Sequence, residues 1–488
     1  MIDNHDACYA ICQAKDARFD GVIYVCVTST KIYCRPSCSA IVPRRENLRF
    51  HRTAAASQHA GFRACKRCRP DATPGSPEWN TRADTVGRAM RMISDGVIDR
   101  NGASGLAHAL GYSERHVLRL IEGELGVGPL ALARAQRAQT ARILIETTAL
   151  PFTEVTWASG FSSIRQFNET VRSVFAMTPS EMRAKAKLAP SSPASPMKIR
   201  LAYRAPFDAE QVFGFLGFRA IPGVESFDRE MLQYRRALRL THGHGVVTLT
   251  PATGAKGTRA IECELHLDDL RDMQMAVHRC RLLLDLDADP VAIHESLGRH
   301  DVLRELVAKR PGLRSPGAVD GVELAVRALL GQQISVVAAR THGARLTAAL
   351  GESLGSLATE SISRAFPTAA ALAKAPDGLL AMPVARRNAL RGMCRVLADG
   401  EIDLTPGADR ALVYQQLVAL PGIGPWTAKY IVMRVLNDPD VFLDTDLGVH
   451  HGLAKLGLPT KPREAFAAAA SWAPWRSYVV HHLWESLT

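Results

Sequence analysis

The stretch Leu417-Val-Ala-Leu-Pro-Gly-Ile-Gly-Pro-Trp-Thr-Ala-Lys429 decides how the C-terminal half is read. Apolar residues flank a short turn, Leu420-Pro421-Gly422-Ile423-Gly424. Pro425 suits the first turn of a second helix, where a missing N–H is no loss. The pattern is that of a helix-hairpin-helix. Gly422 and Gly424 let the backbone pass close to a phosphate, and the following helix N-terminus presents N–H groups to that anion. Such a contact holds a nucleic-acid backbone without reading its sequence. A plain turn between two helices is the alternative.

Downstream comes Asp440-Val-Phe-Leu-Asp-Thr-Asp446, an apolar strand-like run that ends in acids ahead of a helix at 447–455. Asp444 or Asp446 placed there can simply cap the helix. The chemical alternative is a carboxylate that stabilises a sugar cation as its base departs, because glycosidic cleavage passes through an oxocarbenium-like state.

The chain has 488 residues, which implies several domains. Its apolar share of 47% is enough for sizeable cores and argues against general disorder. The net charge of +12 is uneven: residues 1–200 carry 28 Lys and Arg against 17 Asp and Glu, the remainder 32 against 31. A polyanionic partner is therefore expected for the N-terminal part. No apolar run reaches the ~18–20 residues that span a bilayer, and the first residues lack an apolar signal core, so a cytoplasmic protein without membrane contact is expected. Leu188–Met197, LAPSSPASPM, reads as a linker, with a weaker break at Ala72–Trp79. Short strands are expected at 21–27 and 31–34, helices over 80–187, further strands at 245–250 and 259–267 with a helix near 208–216, and helices from about 269 onward.

Seven of the ten cysteines precede residue 70. Cys34-Arg-Pro-Ser-Cys38 and Cys65-Lys-Arg-Cys68 are two close pairs separated by 26 residues. This spacing brings four thiolates to one tetrahedral ion, and Zn2+ favours such closed sulfur sites. The metal could be purely structural, folding a module with little core. Alternatively, a metal-held thiolate stays ionised at neutral pH and can attack an electrophilic methyl group. Spacing does not choose between these. Cys8, Cys12, Cys26, Cys263 and Cys280 read as ordinary buried thiols.

Two helix-turn-helix patterns follow. In Ser104–Gly123 the turn is at Gly111, with Ala107, Leu110, Val117, Leu118 and Ile121 as the apolar face; in Thr153–Phe175 the turn is at Gly160. Their second helices, starting near Ser113 and Ser162, would offer Arg115, His116 and Arg119, then Ser163, Arg165, Gln166 and Asn168, to a major groove. A plain helical bundle is the alternative for either unit alone.

Several of these stretches carry resemblances. Lys31–Cys38, Arg45-Glu46-Asn47 and Phe62–Asp71 resemble the N-terminal domain of the Ada family of adaptive-response regulators. In that family the first cysteine of the set takes a methyl group irreversibly from a DNA phosphotriester. The resemblance assigns this role to Cys34, with Cys38, Cys65 and Cys68 as retained ligands and Arg35, Arg45, Lys66 and Arg67 facing the phosphates. Methylation would remove one negative charge and ease repulsion with DNA. Trp157–Arg183 resembles the AraC-type DNA-binding domain, which the Ada family carries next in order.

Residues 198–488 resemble the AlkA-type 3-methyladenine DNA glycosylases of the helix-hairpin-helix superfamily. The likeness rests on Arg310–Arg340, the hairpin, DVFLDTD and Trp472–Tyr478. It implies that Asp446 is the catalytic acid and that Trp426, Tyr430 and Trp484 form an aromatic wall for a flipped, cationic alkylated purine. Bifunctional members place a lysine nucleophile where this chain has Trp426, so a monofunctional, hydrolytic enzyme is expected. The wedge position, leucine in AlkA-type enzymes, is Gln333 here, and a second aromatic after the acid is Leu447. The methyltransferase motif Pro-Cys-His-Arg of Ada is absent from the sequence.

The expected fold class is multidomain α+β. It comprises a small zinc α/β module (1–78), an all-α AraC-type helix-turn-helix domain (79–187), a linker (188–197), a mixed α/β domain (198–282) and an all-α helix-hairpin-helix glycosylase domain (283–488). The expected function joins alkylated-base excision to methyl capture and transcription regulation. Zn2+ is the expected cofactor. Alkylated double-stranded DNA, promoter DNA and RNA polymerase are the expected partners of a monomer. The rivals are a regulator whose glycosylase half is inactive and an enzyme whose helix-turn-helix merely docks on DNA.

Overall fold

A four-stranded sheet near the N-terminus explains how two cysteine pairs far apart in sequence come together. Its order is Leu48–His51, Tyr24–Val27, Ile32–Cys34, Arg63–Ala64. The first three strands are antiparallel, whereas Arg63–Ala64 runs parallel to Ile32–Tyr33. That parallel pairing carries Cys65 alongside Cys34, and the Cys65 amide donates to the Tyr33 carbonyl at 3.0 Å. The computed structural model describes residues 4–72, 76–186, 196–252 and 259–487. Most of the expected linker, 188–195, lies outside the described residues.

The chain divides into two units, Met1–Tyr203 with Cys263–His278, and Arg204–Glu262 with Arg279–Thr488. In the first unit the sheet is followed by helices Val97–Leu110, Glu114–Leu125, Pro129–Thr147, Phe152–Ala158 and Ile164–Phe175. Both expected turns are present. Gly111 and Gly160 have φ of 78° and 80°, a left-handed backbone that glycine adopts at little cost. Ser113 and Ser163 cap the second helices, accepting from the amides of His116 and Gln166. One expected core residue is displaced: Leu118 is 42% exposed. Val117, Ile121 and Leu125 form the buried stripe of that helix, and Leu118 lies one residue round from it.

In the second unit Glu225–Asp228, Gln233–Arg239 and His244–Pro251 form an antiparallel meander. The expected helix and strands of this region are present as Ala209–Phe218, His244–Pro251 and Ala260–Leu267. Helices Gly321–Leu330, Val336–Leu350, Val384–Ala398, Arg410–Val418, Pro425–Val435, Leu447–Lys455 and Arg476–Glu485 follow. The run Val441–Leu443 is buried as expected, but it is irregular backbone rather than strand. A buried ion cluster ties the meander to helix Gly321–Leu330. Arg236 bridges Glu225 and Glu323 at 3.0 and 2.6 Å, and Arg327 bridges the same acids at 2.9 and 2.8 Å. Removing one member of such a cluster costs about 3–5 kcal/mol because a buried charge is left uncompensated.

A second buried acid, Asp285, accepts from the Tyr478 hydroxyl at 2.8 Å and the Ser315 amide at 3.1 Å. Burial lifts its carboxyl to about 6, against the opposing pull of Arg314 and the Tyr478 hydroxyl. The folded value lies above the unfolded one, near ~3.9. The stability this group contributes is therefore fully present at low pH and is lost as pH rises through 6. Relative to Asp285→Asn, the parent protein should gain about 1 kcal/mol between roughly pH 7.5 and pH 5. Urea unfolding midpoints of both proteins check this, and a difference that does not change with pH contradicts it.

Candidate functional site

In the first unit the four sulfurs of Cys34, Cys38, Cys65 and Cys68 lie within 4.8 Å of one another. A tetrahedral ion with Zn–S bonds of about 2.3 Å requires sulfurs about 3.8 Å apart, so the donor set closes around such an ion with small adjustments. Two turns hold the pairs: the Cys38 amide donates to the Arg35 carbonyl and the Arg69 amide to the Cys65 carbonyl. Asp20, which sequence reasoning passed over, pins the first loop. It accepts from the Ser37 amide at 3.1 Å and hydroxyl at 2.5 Å, and lies 3.5 Å from Arg35 Nε. Among bare thiols the hydrogen bond between Cys34 and Cys68 splits the pair, holding Cys34 well above the ordinary thiol value and Cys68 down to about 6. A bound divalent cation instead keeps all four deprotonated.

The second loop is fastened to the helices that follow. Arg69 pairs with Glu146 and Asp71 with Arg142, both at 2.7 Å, and the Arg142 guanidinium lies 5.0 Å from the Phe175 ring centroid. Lys66 donates to the Ala176 carbonyl at 3.4 Å, just past helix Ile164–Phe175. Of the other expected DNA contacts, Arg67 and Arg115 are exposed. Arg45 pairs with Asp6 and Arg165 with Glu169, and the Gln166 side-chain oxygen accepts from Ser162. These surface pairs are worth little and yield readily to a phosphate.

In the second unit the hairpin lies between helices Arg410–Val418 and Pro425–Val435. Gly422 has φ of 83°, and a Cβ there would meet Ala389 Cβ at 2.5 Å. Gly424 differs: its φ is −83° and nothing within 4 Å would meet a Cβ, so its backbone is open to an approaching group.

Beside the hairpin a cavity of about 1080 Å³ is lined by Phe215, Arg219, Trp426, Tyr430, Asp446 and Trp484, among others. Asp446 is both a helix cap and a cavity group. Its Oδ1 accepts from the Val449 amide and Trp484 Nε1, and its Oδ2 from Trp426 Nε1, each at 2.9 Å. Three N–H donors thus fix the carboxylate in one orientation. Trp426 stacks on Tyr430 with centroids 5.2 Å apart, and Trp484 on Phe215 at 6.2 Å. The three expected wall aromatics and Asp446 are therefore brought together. Lys429 is not among them; it pairs with Asp444.

Three stretches of the chain match known families. Residues 7–71 match the metal binding domain of Ada, 106–185 a helix-turn-helix domain, and 198–320 the AlkA N-terminal domain. The probable bifunctional transcriptional activator/DNA repair enzyme AlkA of Mycobacterium tuberculosis is 51% identical over 490 residues, covering 100% of this chain and 97% of the relative. The chain belongs to this AlkA family of bifunctional activator/repair enzymes. DNA-3-methyladenine glycosylase 2 of Escherichia coli is 36% identical over 288 residues, 58% of this chain and 95% of its own. The solved 3-methyladenine DNA-glycosylase from Archaeoglobus fulgidus shares the fold, with a TM-score of 0.51 at 20% identity over 59% of this chain and 97% of its own. The four-cysteine cluster of this AlkA family member is a Zn2+ site.

Several cavity residues carried no sequence signal. Phe215 and Arg219 come from a helix more than 200 residues before Trp426, and the Arg219 guanidinium lies 3.7 Å from the Phe215 ring centroid. Arg434 donates to the Tyr430 hydroxyl at 2.9 Å. Burial alone would raise the Tyr430 phenol, but the charges of Arg434, Arg219 and Arg327 pull it below its ordinary value. Gly448 is required because a Cβ there would meet Trp484 Cδ1 at 2.9 Å. Among described residues, no helix is long and apolar enough to cross a membrane.

The two hairpin glycines should separate by substitution. Gly422→Ala should destabilise the protein by about 1–3 kcal/mol, from backbone strain and the clash with Ala389. Gly424→Ala should melt like the parent yet bind undamaged duplex DNA more weakly. Melting and fluorescence-anisotropy titrations check both; unchanged DNA affinity in Gly424→Ala contradicts the phosphate contact.

Proposed function

We propose that this chain repairs alkylated DNA with two chemistries and regulates transcription in response, its modules being 1–78, 79–187, 198–282 and 283–488. The observation that carries the excision reading is Asp446, gripped by two indole N–H groups at an aromatic cavity beside a phosphate-binding hairpin. A base turned out of the duplex enters this cavity. The indole and phenol faces of Trp426, Tyr430 and Trp484 stack on an electron-poor alkylated purine of the 3-methyladenine type. The N-glycosidic bond breaks, its electron pair leaving with the base. Asp446 stabilises the cationic sugar until the oxygen of a water molecule bonds to C1′ and that water's proton is released. Trp426 occupies the place where a lysine would make the enzyme bifunctional, so the product is an abasic site in an uncut strand.

In the first unit Zn2+ would be held by Cys34, Cys38, Cys65 and Cys68, where it supplies the charge that keeps the sulfurs anionic. Cys34 Sγ forms a bond to the methyl carbon of a phosphotriester; the carbon–oxygen bond breaks and its electron pair stays on the phosphate. Arg35, Arg45, Lys66 and Arg67 bind the flanking phosphates. Arg115, Arg165 and Gln166 face promoter DNA, with RNA polymerase as the partner of the promoter-bound form. The protein acts as a cytoplasmic monomer. The competing reading, a regulator with a dead glycosylase half, is disfavoured by the complete set of donors around Asp446.

Asp446→Asn should lower the release of alkylated purine from methylated DNA by about a hundred- to a thousandfold, the scale of losing a main electrostatic group, while DNA binding stays within a few-fold. Base release at the parent rate contradicts the assignment. Cys34→Ser should take up no methyl group from methylated DNA in intact-mass spectra; methyl found on that variant's zinc module shows that another sulfur is the acceptor.

A further inference from the structure

The turn between helices Gly321–Leu330 and Val336–Leu350 stands at the mouth of the cavity, since Gly331 and Ile334 line it together with Asp446. Gln333 is the exposed tip of this turn, with φ of 57°. A left-handed backbone is uncommon for a long side chain and persists where the surroundings hold it. Two side chains do so. Gln332 Nε2 donates to the Gly422 carbonyl at 3.2 Å and to Thr427 Oγ1 at 2.9 Å, which fastens the turn to the hairpin. Arg386 Nη2 donates to Gln333 Oε1 at 3.3 Å.

The last contact settles which way the amide faces. A guanidinium has donors only, so the oxygen of Gln333 must turn toward Arg386, and the NH2 group with its two hydrogens turns outward. The turn therefore presents a donor-only head beside a cavity large enough to take a base. Once a base has left the stack, the tip beside the cavity meets the base it was paired with. Cytosine offers two adjacent acceptors on its pairing edge, N3 and O2, and thymine offers O2 and O4. Adenine offers N1 alone, and guanine O6 alone.

We propose that Gln333, locked in orientation by Arg386, reads the base left opposite the excised one and selects a pyrimidine there. The proposal rests on the cavity being the base-excision site. Its test separates the two by using binding alone. The full-length protein is titrated with duplexes carrying a single tetrahydrofuran abasic analogue opposite dC, dT, dA or dG, and with undamaged duplex. Affinity should be about tenfold higher opposite the pyrimidines, the discrimination expected of one good base contact. Gln333→Leu should flatten the four affinities to one value, and Arg386→Ala should reduce the preference by freeing the amide to turn over. Equal affinity for all four partners in the parent protein, or an unchanged preference in Gln333→Leu, overturns the proposal while leaving the excision site standing. Abasic duplexes bound no more tightly than undamaged DNA would overturn both.

Discussion

Two indole N–H groups, from Trp426 and Trp484, converge on the two oxygens of Asp446, and the geometry of the C-terminal unit follows from that meeting. The carboxylate must sit at a helix N-terminus, where the Val449 amide takes part of its capacity, and still face the cavity. For both indoles to reach it, Trp426 must start the helix after the hairpin and Trp484 must lie on the last helix, packed against Gly448 with no room for a Cβ. The hairpin proposed to bind phosphate and the carboxylate proposed to stabilise the sugar cation are thereby joined through helix Pro425–Val435.

The back of the cavity follows a different logic. Arg219, Arg327 and Arg434 surround Tyr430, while Glu225 and Glu323 balance Arg236 and Arg327. Buried charges of this kind add little net stability, but each is costly to leave alone. They therefore enforce one arrangement of the meander, the helix Gly321–Leu330 and the hairpin helix. In the N-terminal unit, ion pairs from Arg69 and Asp71 fasten the second metal loop to helix Pro129–Thr147, and a hydrogen bond from Lys66 reaches the Ala176 carbonyl just past helix Ile164–Phe175. A change of charge at the sulfurs thus occurs on a body that includes the second helix-turn-helix.

What was legible in the sequence was local. Gly111, Gly160 and Gly422 mark left-handed turns because few other residues tolerate them. Each cysteine pair, the hairpin and the acid at Asp446 fit within a short window, and Asp446 both caps its helix and lines the cavity. What was not legible depends on partners distant in the chain. Asp20 gains its role only when Ser37 folds onto it, and Phe215 and Arg219 only when their helix packs near Trp484 and Tyr430. Val441–Leu443 has the composition of a strand and the burial of one, yet it forms no regular element. Leu118 belongs to an apolar helix, but its direction differs from that of the buried stripe by one residue.

In the proposed reaction a carboxylate in an aromatic cavity releases an alkylated base and leaves the strand whole. Incubating the parent protein with methylated duplex DNA, and examining the small-molecule fraction, the strand length and borohydride-trapped adducts together, tests it most directly. Free alkylated purine, uncut strands and no trapped protein–DNA adduct are predicted. A trapped adduct with strand cleavage, or no freed base at all, would contradict the account.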